Sequence, residues 1–174
     1  EKRKKYAYLS NDGVAGKRNT TTLDDNTTQS ALSFLIRLDR VLQFRHQAIH
    51  NSALVGLESL LKAQYPNGAW PQRFSSSPDP AGFPVLPASY PDIWSRAYPH
   101  QDYRAFYTFN DNTIADTIHL MLDAAEIYSQ DTYRQAALKA GDFIILAQMP
   151  APQPAWAQQY NSQCQPSWAR KFEP

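Results

Sequence analysis

Leu23-Asp24-Asp25-Asn26-Thr27-Thr28 recurs as Phe109-Asn110-Asp111-Asn112-Thr113-Ile114, an offset of 86 residues. At the same offset, Ala69-Trp70-Pro71-Gln72-Arg73-Phe74 matches Ala155-Trp156-Ala157-Gln158-Gln159-Tyr160. Between them, Ala63-Gln64 aligns with Ala147-Gln148 only after a two-residue slip. The unit therefore reads as an acidic turn, two helices, and a loop carrying Trp-x-Gln. A helical hairpin cannot bury its apolar face alone, so its repetition predicts stacked hairpins. The expected fold class is all-α, an incomplete α/α toroid of helical hairpins with long irregular loops.

Proline placement supports this division. None of the 13 prolines precedes Pro66; eight lie between Pro66 and Pro99, and five between Pro150 and Pro174. Proline breaks helix interiors, so helices belong in the two proline-free blocks. In the first block, Ala31, Leu32, Leu35, Leu38, Val41 and Leu42 form one apolar stripe. Ala53, Leu54, Leu57, Leu60 and Leu61, running to about Gln64, form another. In the second, Ile114, Ile118, Met121, Leu122 and Ala125 line a helix ending near Gln130. Ala136, Ala140, Phe143, Ile144 and Ala147 line the next. No convincing strand alternation is present. The stretch 75–102, rich in Ser, Pro, Tyr and Gly, reads as an insertion within a single domain spanning 1–174.

Composition excludes several classes. The chain has 174 residues, 43% of them hydrophobic and 19% charged, with a formal net charge of +1. That excludes a disordered tail and gives no overall footprint for nucleic acid or a membrane surface. No apolar run reaches the length of a membrane span. One cysteine, Cys164, excludes an internal disulfide framework. It stands without a histidine nearby in sequence and is not read as a nucleophile.

Asp24, Asp25 and Asp111 are the foremost candidates for chemistry. Helix capping explains acidic residues before helices and is the common role. Carboxylates gathered at one end of stacked hairpins also suit a hard cation such as Ca2+, which takes several oxygen ligands. Paired carboxylates are equally the equipment of glycoside hydrolysis. Tyr65, Trp70 and Gln72, in Tyr65-Pro66-Asn67-Gly68-Ala69-Trp70-Pro71-Gln72, offer rings and amides suited to sugars. Trp156-Ala157-Gln158-Gln159-Tyr160 offers the same. The alternative for both tryptophans is a core plug. Arg170 and Lys171 provide carboxylate-binding capacity or a solvated surface pair. His46, His50 and His100 lack metal spacing, and His119 reads as structural within its helix. Lys2-Arg3-Lys4-Lys5 reads as a solvated cluster. Asn19-Thr20-Thr21 and Asn26-Thr27-Thr28 fit the short glycosylation pattern.

These segments resemble the family 10 polysaccharide lyases, which are pectate lyases. The matching residues are Leu23-Asp24-Asp25-Asn26-Thr27-Thr28 with Phe34-Leu35, Gln64 to Gln72, Thr108-Phe109-Asn110-Asp111, Trp156-Ala157-Gln158-Gln159, and Ala169-Arg170-Lys171-Phe172-Glu173-Pro174. The resemblance implies an α/α toroid and a secreted, monomeric enzyme. It implies Ca2+-dependent β-elimination of polygalacturonate. It makes Asp111 a calcium-site aspartate, with Asp24 its counterpart by the family's turn order. The internal repeat instead pairs Asp25 with Asp111. It makes Arg170 a substrate-carboxylate ligand; Tyr65, Trp70, Gln72 and Asn110 are the further candidate substrate-binding residues. Arg73 departs from the family, which more often has an aromatic there, and the 75–102 insertion is long. The family's catalytic arginine follows the Phe172-Glu173-Pro174 segment. The expectation is therefore a fragment of the catalytic module without its proton-abstracting base.

Overall fold

The computed structural model describes residues 20–94, 96–98 and 102–168. Among the described residues, four helices carry the fold: α1 (Thr27–Val41), α2 (Gln47–Ala63), α3 (Thr113–Tyr128) and α4 (Asp131–Leu146). They form two hairpins, α1–α2 and α3–α4, with α1 packed on α3. The all-α class and the hairpin repeat are as expected. Two-residue strands also form among the described residues: β1 (Thr21–Thr22), β2 (Arg73–Phe74), β3 (Tyr107–Thr108) and β4 (Gln159–Tyr160). They are too short for alternation to reveal them.

The 86-residue offset extends to individual hydrogen bonds. β1 pairs antiparallel with β2, and β3 with β4, in equivalent register. The Leu23 N–H donates to Gln72 O, and the Phe109 N–H to Gln158 O. The Trp70 indole N–H donates to Leu60 O at 2.9 Å, and that of Trp156 to Ile144 O at 2.7 Å, the acceptors carrying the two-residue slip between the repeats. Each short ladder thus closes a hairpin by returning the Trp-x-Gln loop to the acidic turn.

Core residues fall mainly on the expected stripes. Ala53, Leu57 and Leu60 of α2 are buried, as are Ile114, Met121 and Ala125 of α3. Ala136, Ala140, Phe143 and Ala147 bury the second hairpin's inner face. The α1 stripe is displaced. Its buried residues are Gln29, Leu32, Ile36 and Asp39, while Ala31 is exposed and Val41 is 75% exposed. Two polar residues hold inward positions there, so counting apolar side chains misplaced the face. Gln29 Nε2 donates to Leu23 O at 2.9 Å. Asp39 Oδ2 meets His50 Nδ1 and accepts from Tyr128 Oη, both at 2.8 Å. A fully buried carboxylate is tolerable only when hydrogen-bonded, and this one joins α1, α2 and α3.

Gly68 marks where the hairpins meet. Its φ is +98°, and a Cβ there would lie 2.0 Å from Lys139 O. Glycine alone accepts both that backbone and that proximity. Beside it, Gln64 Nε2 donates to Gly68 O and to Ala136 O on α4, at 2.9 and 2.8 Å. The insertion folds back over this join. Phe83 packs on the Tyr65 ring, with centroids 4.3 Å apart, and the Ala88 N–H donates to Leu146 O at 2.7 Å.

Candidate metal centre and the groove beside it

The acidic turns share an unusual backbone. Asp25 and Asn26 have φ of 50° and 55°, and Asp111 and Asn112 have φ of 50° and 56°. All four are left-handed, a region Asp and Asn tolerate better than most residues. Two in succession bend each turn sharply into its helix. The helix caps are Asn26 and Asn112, and neither side chain accepts a helix N–H. The aspartates therefore sit one and two residues before the cap position. The matching dihedrals support the Asp25–Asp111 pairing from the repeat.

The two turns lie against each other. One carboxylate oxygen from each of Asp24, Asp25 and Asp111 can be chosen so that all three lie within 4.8 Å of one another. Asp25 and Asp111 are exposed and Asp24 is half-buried. They face a hollow of about 250 Å³, completed by Gln72, Tyr103, Asn110 and Gln159. Oxygens on a single Ca2+, each at roughly 2.3–2.6 Å, stand no more than about 5 Å apart. The donors present fit such an ion in type and spacing.

Asp24 is tied down on both oxygens. Gln72 Nε2 donates to Oδ1 at 3.0 Å, and Arg73 Nη2 donates to Oδ2 at 3.3 Å. In the second repeat, Gln158 Nε2 donates to Asn110 Oδ1, and Asn110 in turn donates to Asp111 Oδ2. The Trp-x-Gln glutamine thus orients the acidic turn in both hairpins.

Several expected substrate residues are placed otherwise. Trp70 is fully buried, so its ring has no face for a sugar and serves as the core plug. Tyr65 is 3% exposed; its hydroxyl donates to Ala105 O and its ring packs on Phe83 and Tyr107. Gln72 is buried and serves Asp24. These three support the site from behind. Asn110 does line the hollow. Arg170, with Lys171 and the Lys2–Lys5 cluster, lies outside the described residues, as do Asn19 and His100. His119 is exposed on α3 rather than packed. Cys164 is buried, and burial raises its thiol pKa from 9.0 to about 11, which leaves it a poor nucleophile.

Sequence reasoning missed the part played by Arg73, Tyr103 and Gln159. Gln159 stands 86 residues after Arg73, so the repeat held a signal for it. Tyr103 carries none, because it reaches the hollow from the end of the insertion. Next to the hollow is a larger groove of about 560 Å³, lined by Arg73, Arg104, Asp79, Asp102, Phe83 and the serines of 75–77, among others. The 102–104 turn adjoins both cavities, and Arg73, which lines the groove, donates to Asp24 at the hollow.

Comparison with known proteins defines the class and then the family. A family 10 polysaccharide lyase from Cellvibrio cellulosa is similar in structure, with a TM-score of 0.59 at 20% identity over 90% of this chain and 46% of that one. A mutant of that lyase in complex with trigalacturonic acid matches with the same TM-score and identity, over 89% and 46%. At such identity the likeness establishes the fold, and this chain spans about half the length of those structures. The family description Pectic acid lyase matches residues 3–174, and the chain belongs to that family. No curated protein sequence matches it.

Proposed function

We propose that this chain forms the cation-holding part of a pectate lyase that cleaves polygalacturonate, de-esterified pectin, at α-1,4 linkages by β-elimination. The observation that carries this is the convergence of Asp24, Asp25 and Asp111 from two tandem hairpins onto one hollow. The donor set is all oxygen and carries three negative charges, which suits Ca2+ over softer metals. Bound there, calcium would supply positive charge to a substrate carboxylate and stabilise the charge that develops as the neighbouring carbon loses its proton.

The chain's own residues prepare that surface. Gln72 holds Asp24 in one orientation, with Arg73 paired to its other oxygen, and Gln158 and Asn110 brace Asp111. Asn110 and Arg170 are assigned to substrate, Arg170 as a bidentate grip on a sugar carboxylate. No residue of the chain is assigned as base. A polymer too large to enter a cell favours a secreted enzyme, and we read it as a monomer. Among the described residues, no helix is long and apolar enough to cross a membrane.

The test is the product of the full-length protein on polygalacturonate. A calcium-dependent lyase gives unsaturated ends that absorb ultraviolet light, and chelation stops their appearance. Saturated reducing sugar formed regardless of chelator would instead select a hydrolase using the paired aspartates. Retention of the polymer without shortening would select a binding module.

A further inference from the structure

Arg73 lines the larger groove and reaches the hollow through its bond to Asp24, and the internal repeat supplies a control for what it does there. Its partner in the first hairpin is Asp24. At the equivalent places of the second hairpin stand Gln159 and Asn110. A charged pair in one repeat thus corresponds to a neutral pair in the other, with both members changed. A lone exchange at either place would leave a net charge at the ladder end; the joint exchange marks Arg73 as the counter-charge of Asp24.

The guanidinium is incompletely engaged. Nη2 reaches Asp24 Oδ2 at 3.3 Å, long for a charge-assisted bond. Among the described residues, the buried Nε has no hydrogen-bond partner. The side chain is 41% exposed and lines the larger groove. Arg104 lines the same groove and is paired with Asp102 through Nε and Nη2, at 2.7 and 2.8 Å. An arginine has five N–H donors, so each retains capacity for a further carboxylate.

A divalent ion in the hollow would draw on Asp24 and repel the guanidinium beside it. We propose that Arg73 couples the two cavities. It neutralises Asp24 until a divalent cation takes that carboxylate, and the released guanidinium, with Arg104 across the groove, then grips a uronate carboxylate. The groove becomes an acidic-sugar subsite whose affinity depends on the cation, and by thermodynamic linkage the sugar tightens the cation equally. The sugar half rests on the lyase reading above; the cation half does not.

The experiment is a pair of calorimetric titrations on the full-length protein, with CaCl2 and with D-galacturonate, which has no glycosidic bond to lose. Arg73→Gln is expected to tighten Ca2+ about three- to tenfold at low salt, since a positive charge a few ångströms away is removed. Arg73→Lys should stay within about twofold of wild type, because it keeps the charge. Arg134→Gln, at the far end of the second hairpin, should change nothing. In wild type, Ca2+ should strengthen galacturonate binding; in Arg73→Gln and Arg104→Gln that enhancement should fall severalfold. Unchanged Ca2+ affinity in Arg73→Gln overturns the proposal. So does an equal change in Arg73→Lys, which would indicate packing rather than charge. Tighter Ca2+ with an intact calcium effect on galacturonate overturns the subsite. If wild type binds Ca2+ but neither binds galacturonate nor cleaves polygalacturonate, the lyase reading falls, while the Ca2+ comparison still judges the counter-charge.

Discussion

The two hairpins carry the same backbone and different burdens. Their strand pairs and turn dihedrals superpose at one offset, and each indole bonds back to its second helix, with the acceptor slipped by two residues. Trp70 is nevertheless fully buried while Trp156 is 47% exposed. The first loop lies against α4, as the Gly68–Lys139 approach and the Gln64–Ala136 bond show. Among the described residues, no further hairpin covers the second loop. The hydrogen bonding of the motif is local and repeats; its burial is supplied by the neighbour and does not. The charges diverge too: the first repeat places Asp24 and Arg73 where the second has Asn110 and Gln159. A shared scaffold thus presents an asymmetric pair of faces to one hollow.

The tryptophans give the largest test. In the 174-residue chain, Trp70→Ala should cost about 3–5 kcal/mol, the usual range for a large buried aromatic. Trp156→Ala should cost about 1 kcal/mol, since half its surface already meets water. Chemical denaturation reads both, and equal costs would break the contrast. At the acidic turns the repeats should instead agree. Asp25→Asn and Asp111→Asn in the full-length protein should each weaken Ca2+ by roughly 10- to 100-fold, given how strongly ligand charge sets calcium affinity. A loss at one position alone would end their equivalence.

Cys164 sharpens the contrast in the closing loops. Its counterpart 86 residues earlier is Pro78, in the largely exposed stretch after β2, whereas Cys164 is buried under the insertion and its carbonyl accepts the Ser89 N–H. Burial raises the thiol pKa from 9.0 to about 11. A raised folded-state value favours the neutral form, so its stabilisation is complete below pH 9 and lost as pH rises toward 11. Thiol-reagent kinetics against pH should therefore show little reaction at neutral pH. Rapid labelling there would contradict the burial. The smallest effect belongs to Arg37–Asp123 and Arg40–Glu126, at 2.7 and 3.5 Å, which join α1 to α3 across the repeat. Both are exposed, and double-mutant cycles should give about 0.2–1 kcal/mol each, less at high salt.

The residue pattern alone determined the repeat, the helices of the described residues, the all-α class and the position of three aspartates before the hairpins, because each is written in local spacing, turn chemistry and proline placement. It also held the Gln72–Asp24 relation in outline, since the Trp-x-Gln loop and the acidic turn recur together. Only the tertiary structure decided which side chains face solvent. Trp70, Tyr65 and Gln72 look like sugar contacts by type, yet the packing of one hairpin on the next turns them inward. Asp39 interrupts an apolar stripe and is buried all the same, because His50 and Tyr128 reach it from two other helices. Arg73 lines the groove and meets Asp24 only when β2 pairs with β1. Contacts of this kind join residues distant in the chain, and one-dimensional periodicity cannot encode which neighbour arrives.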